Sequence, residues 1–115
     1  MAISTPRTFG IELTTSAQRI MHNVVPAGKV RRFTLIQMTS IDAAADNYGT
    51  VRWLDASNGN AANPLLSQVA VPLRDAVPAV VGALALEAGD DLVGLASANA
   101  KVHVTVTYFD EDAVT

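Results

Sequence analysis

Residues 101–109 alternate strictly between two kinds of side chain, and this pattern limits the fold more than any other feature of the chain. The first set is Val102, Val104, Val106 and Tyr108, and the second is Lys101, His103, Thr105, Thr107 and Phe109. A repeat of two residues is that of a β-strand, whose successive side chains point to opposite faces of a sheet. We therefore predict a strand whose valine face lies in the core. A shift of one residue in its pairing would turn that face to water, so the pairing of this strand should be well defined.

Weaker alternation and frequent turn residues predict strands along the rest of the chain. The predicted strands cover residues 8–14, 17–24, 29–41, 50–55, 65–71, 80–86, 91–96 and 101–109. This pattern predicts an all-β fold, an antiparallel β-sandwich that is jelly-roll-like and has about eight strands. Because 50% of the residues are hydrophobic but only 5% are aromatic, we expect a core built mainly from Val, Leu, Ile and Ala.

The length of 115 residues predicts one domain. We expect residues 18–112 to form the sandwich and residues 113–115 to form a tail. Residues 1–17 are polar and contain Pro6, so they are expected to form either the first strand or an arm that orders on a neighbouring subunit.

Turns and loops are predicted from small and polar residues. Gly28 and Gly89 each follow an alanine and precede a charged residue and a new strand, which favours turns that need a positive φ. Residues 42–49, 56–64 and 72–79 are predicted as surface loops. The apolar residues of the strand from Lys29 are out of phase, which indicates burial on both faces or a β-bulge.

Charged residues are interpreted first as solvated groups. Arg31 and Arg32 are expected to reach water on opposite faces of their strand. Residues 110–112, which are all acidic, are interpreted as a solvated tail, with contact to a basic neighbouring subunit as the alternative. Asp90 and Asp91 are expected to lead into a strand after the Gly89 turn.

Composition argues against several classes of partner and compartment. The net charge of −3 and the pI near 5.1 argue against nucleic acid and against an anionic membrane surface. The chain has no cysteine, so neither disulfides nor thiolate metal ligands can stabilise it. No apolar run reaches the roughly 20 residues of a membrane span, and the first residues lack a secretory signal, so synthesis in a cytoplasm is expected.

Catalytic and cofactor chemistry are not expected. His103 lies between threonines on the non-valine face of the last strand and His22 has no acidic residue at short spacing, so both are interpreted as surface or interface residues. Residues 55–60 contain the oxygen-bearing side chains that calcium prefers, but the spacing does not match an EF-hand loop, so we interpret them as a polar hairpin loop. Trp53 is interpreted as a packing residue. We predict no enzyme activity, no cofactor and no metal.

Residues 86–109 resemble the closing hairpin of small structural proteins from tailed bacteriophage virions. The similarity lies in the turn Ala88-Gly89-Asp90, the strand end Ala96-Ser97-Ala98 and the final Val102-x-Val104-x-Val106 strand. It extends to residues 25–29, 51–57 and 71–73. The same hairpin is also similar to the trimeric jelly-roll domains of the tumour-necrosis-factor and collagen-tail type.

The resemblance implies a virion structural protein that is assembled in the host cytoplasm and binds other virion subunits. The expected role is capsid decoration or cement, with the major capsid protein as partner and a homo-oligomer, trimer or dimer, as the bound form. The alternatives are a neck or tail subunit, in a ring or fibre base, and a carbohydrate-binding or host-adhesion module. The candidate subunit-contact loop is Asn58, Gly59 and Asn60, because such loops cluster at the ends of sandwiches.

Overall fold

The protein is described by a computed structural model over residues 5–21, 23–42, 45–72 and 76–113, with the backbone alone for residues 79–83. Its strands are β1 (Arg7–Glu12), β2 (Gln18–Arg19), β3 (Lys29–Ser40), β4 (Asn47–Asp55), β5 (Ala61–Val71), β6 (Ala76–Glu87), β7 (Asp91–Ala96) and β8 (Val102–Asp112). A short 3-10 turn, Ala56–Asn58, follows β4.

These strands form two four-stranded antiparallel sheets. One sheet has the order β1-β8-β3-β6 and the other has the order β2-β7-β4-β5. This is the strand order of a jelly roll, in which the chain passes repeatedly from one sheet to the other. The predicted all-β sandwich is confirmed.

The core lies between the sheets and contains the predicted valine face of β8. Val102, Val104 and Val106 are fully buried and Tyr108 is 4% exposed. Leu13, Ile20, Phe33, Met38 and Leu92 are also fully buried and belong to the same cluster. Alternation in β8 therefore identified both the strand and its inner face.

A β-bulge in β3 explains its mixed apolar pattern. Phe33 pairs with Tyr108 and Leu35 pairs with Thr107, so Thr34 is the extra residue. The buried positions are odd-numbered before the bulge, as at Phe33, and even-numbered after it, as at Ile36 and Met38. The predicted bulge is confirmed, and β3 lies between β8 and β6.

The interpretation of Arg31 as a solvated residue is wrong, because Arg31 is only 2% exposed. Its Nε and Nη2 donate to the two carboxylate oxygens of Asp110 at 2.7 and 3.0 Å. The remaining donors reach the carbonyl oxygen and side chain of Asn23 and the sulfur of Met21. The guanidinium carbon also lies 4.4 Å from the centroid of the Tyr108 ring. All five N–H donors of this arginine are therefore used inside the protein.

The acidic residues at positions 110–112 are not a solvated tail, because they form the last part of β8. In the register of β3 and β8, Arg31 lies opposite Asp110 and Lys29 lies opposite Asp112. Both pairs are ion pairs, and Arg32 on the other face pairs with Glu111. Each of the three acidic residues is therefore paired with a basic residue of this chain. Opposite charges across two neighbouring strands stabilise the pairing of those strands.

The two predicted glycine turns have the predicted backbone. Gly28 has φ 76° and Gly89 has φ 86°, and each turn is closed by a hydrogen bond from the residue after its glycine, Lys29 to Pro26 and Asp90 to Glu87. The turns lie side by side, since the Gly89 N–H donates to the Val25 carbonyl at 2.8 Å. Asp91 then begins β7, as predicted, and pairs with Arg19.

Strand boundaries differ from the predictions mainly where polar or proline residues were interpreted as loops. β4 begins at Asn47, β5 at Ala61 and β6 at Ala76, each earlier than predicted, whereas β2 has only two residues. The predicted loops 42–49 and 72–79 include residues 43, 44 and 73–75, which lie outside the described residues.

Part of the first segment is a strand of the sandwich. β1 pairs with β8 from Arg7 opposite Tyr108 to Glu12 opposite His103. Leu13 follows with no exposed surface, and its N–H donates to the Val102 carbonyl at 2.8 Å. Of the two alternatives for residues 1–17, the first-strand alternative therefore describes residues 7–12.

Replacing Arg31 by alanine is expected to lower the free energy of unfolding by about 3–5 kcal/mol, because it removes a buried guanidinium together with its two charged hydrogen bonds to Asp110. Arg31→Lys keeps the charge but loses the bidentate geometry, so its free energy of unfolding should lie between those of the original protein and Arg31→Ala. The matched control is Lys29→Ala, because the side chains of Lys29 and Asp112 are 38% and 47% exposed, so this change should alter the free energy of unfolding by no more than about 1 kcal/mol. Urea unfolding followed by circular dichroism measures all three variants, and equal losses for Arg31→Ala and Lys29→Ala would contradict the structural role of Arg31.

Removal of residues 1–17 is expected to abolish the cooperative unfolding transition, because it uncovers the edge of β8 and removes buried Leu13. Removal of residues 1–6, which precede β1, is the control and should leave the transition in place. Thermal unfolding followed by circular dichroism distinguishes the two deletions. A shortened protein that lacks residues 1–17 and still melts cooperatively would show that β1 is dispensable.

Candidate interaction surfaces

The predicted contact loop, Asn58, Gly59 and Asn60, lies in the hairpin between β4 and β5. Asp55 caps the 3-10 turn by accepting from the N–H and hydroxyl of Ser57 at 3.1 and 2.7 Å. Gly59 and Asn60 follow in left-handed conformations with φ 65° and 60°. All three loop residues are exposed, so the hairpin presents two asparagine side chains on an ordered backbone. Both of these bonds go to Oδ1 of Asp55, so the turn uses one of the oxygens that the calcium pattern would need.

Other residues considered from the sequence lie apart from this loop. Trp53 is half-buried and packs against the core, as predicted. His103 lies on the outer face of β8, where its Nε2 is 3.6 Å from a carboxylate oxygen of Glu12. His22 lies outside the described residues. Asp90 is buried and accepts from the backbone N–H groups of Ala56 and Glu87.

A second candidate surface is what we call the uncharged side, formed by β5 and by residues 76–86 of β6. β5 and β6 are the terminal strands of the two sheets, and they contact each other across the sandwich. Neither segment contains a charged residue. The exposed residues of β5 are small or neutral, namely Ala62, Pro64, Ser67, Gln68 and Ala70. Depletion of charge is typical of the central part of protein interfaces.

The backbone edges of the uncharged side are interrupted. Pro64 in β5 and Pro78 in β6 supply no N–H group, and both strands contain irregular register with their neighbours. Prolines and bulges of this kind are how sheets avoid adding further strands at their edges. Contacts through this side would therefore use side chains rather than continuation of a sheet.

A third candidate is an open pocket of about 340 Å³ on the outer face of the sheet that contains β4. Its lining residues are Tyr48, Thr50, Gln68, Leu95, Ala96 and Ser97. Two hydrogen bonds join Tyr48 in β4 to Ser97 just after β7. The Tyr48 N–H donates to the Ser97 hydroxyl and the Ser97 N–H donates to the Tyr48 carbonyl, both at 2.9 Å. Tyr48 is 52% exposed. Sequence patterns did not identify this pocket, because its residues come together only through the register of β4 with both β5 and β7.

Among the residues that the structure describes, no group of three or more His, Cys, Asp or Glu side chains is placed to hold a metal ion. Over the same residues, no helix has the length and apolar character to cross a membrane.

Comparison with known proteins shows similarity at the level of fold. No family model matches the chain, and no curated protein matches it. A solved structure described as "Bacillus endospore appendages form a novel family of disulfide-linked pili" is similar over 97% of this chain and 89% of that chain, with 9% identity and a TM-score of 0.57. This likeness supports the same overall fold.

A second solved structure, of infectious bursal disease virus Gt strain, is aligned over 97% of this chain and 36% of that chain. Its identity is 7% and its TM-score is 0.31. A score this low supports no conclusion about the chain.

Proposed function

We propose that this chain is a non-catalytic structural protein of a bacteriophage particle that decorates the capsid and cements its major capsid lattice. The observation that carries the proposal is the uncharged side formed by β5 and residues 76–86. A surface without charge can be covered by a neighbouring subunit without burying an unpaired ion, which would be strongly unfavourable.

The distribution of charge elsewhere supports this assignment. Among the described residues, Arg19, Lys29, Arg31 and Arg32 form ion pairs with acidic residues. These pairs neutralise half of the eight basic residues of the sequence, and the net charge is −3, so a polyanionic partner is disfavoured. Recognition by shape and by apolar contact therefore fits the molecule better than electrostatic recognition does.

The similarity in fold is consistent with a structural role, since the Bacillus endospore appendages are described as disulfide-linked pili. The present chain contains no cysteine, so its assembly would depend on non-covalent contacts alone. Repetition of a modest interface over a symmetric lattice supplies avidity that a single contact lacks. The resemblance of residues 86–109 to phage virion proteins is the reason for proposing a phage particle as the assembly that this protein binds.

The proposal is tested by binding purified protein to capsids of the source phage that lack it, with co-sedimentation followed by electron microscopy. Regular density over the shell is the expected result. Density confined to the portal vertex or the tail would replace the capsid role with a neck or tail role. Absence from every part of the particle would overturn a virion role.

Placing a charge on the uncharged side is expected to weaken capsid binding by about tenfold or more, which corresponds to about 1.4 kcal/mol. Ala62→Glu and Ala70→Glu are suitable because both residues are exposed on β5. The control is Ala27→Glu, which adds the same side chain at an exposed turn outside the uncharged side. Each variant should unfold within about 0.5 kcal/mol of the original protein. Equal binding by all three would remove the uncharged side from the interface.

Replacing residues 58–60 with a short Gly-Ser linker is expected to preserve folding and to weaken capsid binding. Folding should be preserved because the left-handed conformations at Gly59 and Asn60 suit glycine. Binding should weaken because the exposed amides of Asn58 and Asn60 are lost. Co-sedimentation measures the effect, and undiminished binding would exclude this loop as a contact.

A further inference from the structure

We propose that the pocket beside Tyr48 binds a neutral saccharide, one sugar ring at a time, independently of any contact with a capsid. Its volume of about 340 Å³ lies near the lower end of the range for small-molecule sites, roughly 300–1,000 Å³. A side chain at Gly49 would meet Met38 in the core, and one at Gly94 would meet Leu13. Pocket residues that alternate with these glycines along β4 and β7 therefore lie on the outer face of the β2-β7-β4-β5 sheet.

The pocket combines one aromatic surface with several uncharged polar groups. Tyr48 is one of three large hydrophobic residues in the described part of the chain that are notably exposed. Its ring offers an apolar face and its hydroxyl a polar tip. A sugar ring likewise presents C–H groups on one face and hydroxyls around its rim, so the Tyr48 ring suits the face and the neighbouring polar groups suit the rim.

The polar groups have hydrogen-bonding capacity left for a ligand. Within the described residues, the side-chain amide of Gln68 and the hydroxyl of Tyr48 make no hydrogen bond. The Thr50 hydroxyl already accepts from the Gln68 N–H at 3.0 Å, and the Ser97 hydroxyl accepts from the Tyr48 N–H. Each of these hydroxyls still carries a proton to donate. Donors and acceptors are therefore both available, as recognition of sugar hydroxyls requires.

The absence of charge from the lining sets the class of ligand. Among the described residues that line the pocket, none is Lys, Arg, His, Asp or Glu. A phosphorylated or acidic sugar would lose hydration without gaining a counter-charge, so a neutral saccharide is favoured.

Gln68 is placed at the pocket by an unusual backbone conformation. Ser67 and Gln68 lie together opposite Thr50, because Gly49 pairs with Val69 and Val51 pairs with Leu66. Gln68 has φ 49°, which is uncommon for a residue other than glycine. Backbone strain of this kind is concentrated at binding and catalytic sites, and here it presents the amide that faces the ligand.

The test uses the full chain labelled with nitrogen-15 and titrated with the methyl glycosides of glucose, galactose, mannose and N-acetylglucosamine. At least one glycoside is expected to bind with a millimolar dissociation constant and to shift the Gln68 side-chain amide and the backbone amides of Tyr48 and Ser97. Tyr48→Ala and Gln68→Gly should each weaken binding by about tenfold or more. Gln37→Ala, on the outer face of the other sheet, is the matched control and should bind normally.

Gln68→Gly also separates binding from folding. Glycine adopts a positive φ without strain, so this variant should melt at a higher temperature than the original protein while binding less well. Absence of shifts with every glycoside would overturn the proposal. So would unchanged affinity in Tyr48→Ala and Gln68→Gly, equal loss in Gln37→Ala, or tighter binding of glucuronate than of the neutral glycosides. Capsid binding is measured separately, so its failure would leave this result unaffected.

Discussion

The ion pair between the buried Arg31 and the partly buried Asp110 is the contact on which the arrangement of β3 and β8 most depends. A guanidinium that is 2% exposed is tolerable only where its donors are satisfied, and here they reach β8 and the segment before β3. The valine alternation of β8 cannot set this register by itself, because a slip of two residues would keep every valine inside. Only the observed register places Arg31 opposite Asp110 and Lys29 opposite Asp112 at once, and a slip of two residues in either direction would keep only one basic residue of the two opposite an acidic one. Apolar alternation therefore selects the face of β8, and the ion pair selects its register.

Use of charges within the fold also determines the character of its surface. The pairs Arg31–Asp110, Arg32–Glu111 and Lys29–Asp112 are gathered along β3 and β8, whereas β5 carries no charge. The chain thus has one side where charges stabilise its own strand pairing and another that a partner can cover without separating ions from water. Pro64 and the irregular register of β5 keep that second side from simply adding strands. Association through it would be selective for a surface of matching shape.

Sequence patterns predict the strands that alternate and miss the contacts that depend on distant residues. β7 and the inner face of β8 follow from local periodicity. Arg31 and Asp110 are separated by 79 positions, and nothing local shows that one will neutralise the other, so local patterns indicate two solvated residues. The predicted β5 begins too late because Asn63 and Pro64 resemble turn residues, although an edge strand tolerates both. The pocket escapes prediction for a related reason, since it requires the register of β4 with two neighbours.

The bulge at Gln68 interrupts the regular pairing of the edge strand β5 and also places Gln68 at the proposed saccharide pocket. A left-handed conformation at a non-glycine residue is unfavourable by about 1 kcal/mol or more, and the bond from the Gln68 N–H to the Thr50 hydroxyl offsets part of this. Protection of the edge alone does not require glutamine, because asparagine or glycine would adopt the same backbone with less strain. Proline at position 64 already interrupts the same edge. Glutamine at this position is therefore better explained by its amide, which the bulge carries to the pocket that Tyr48 also lines.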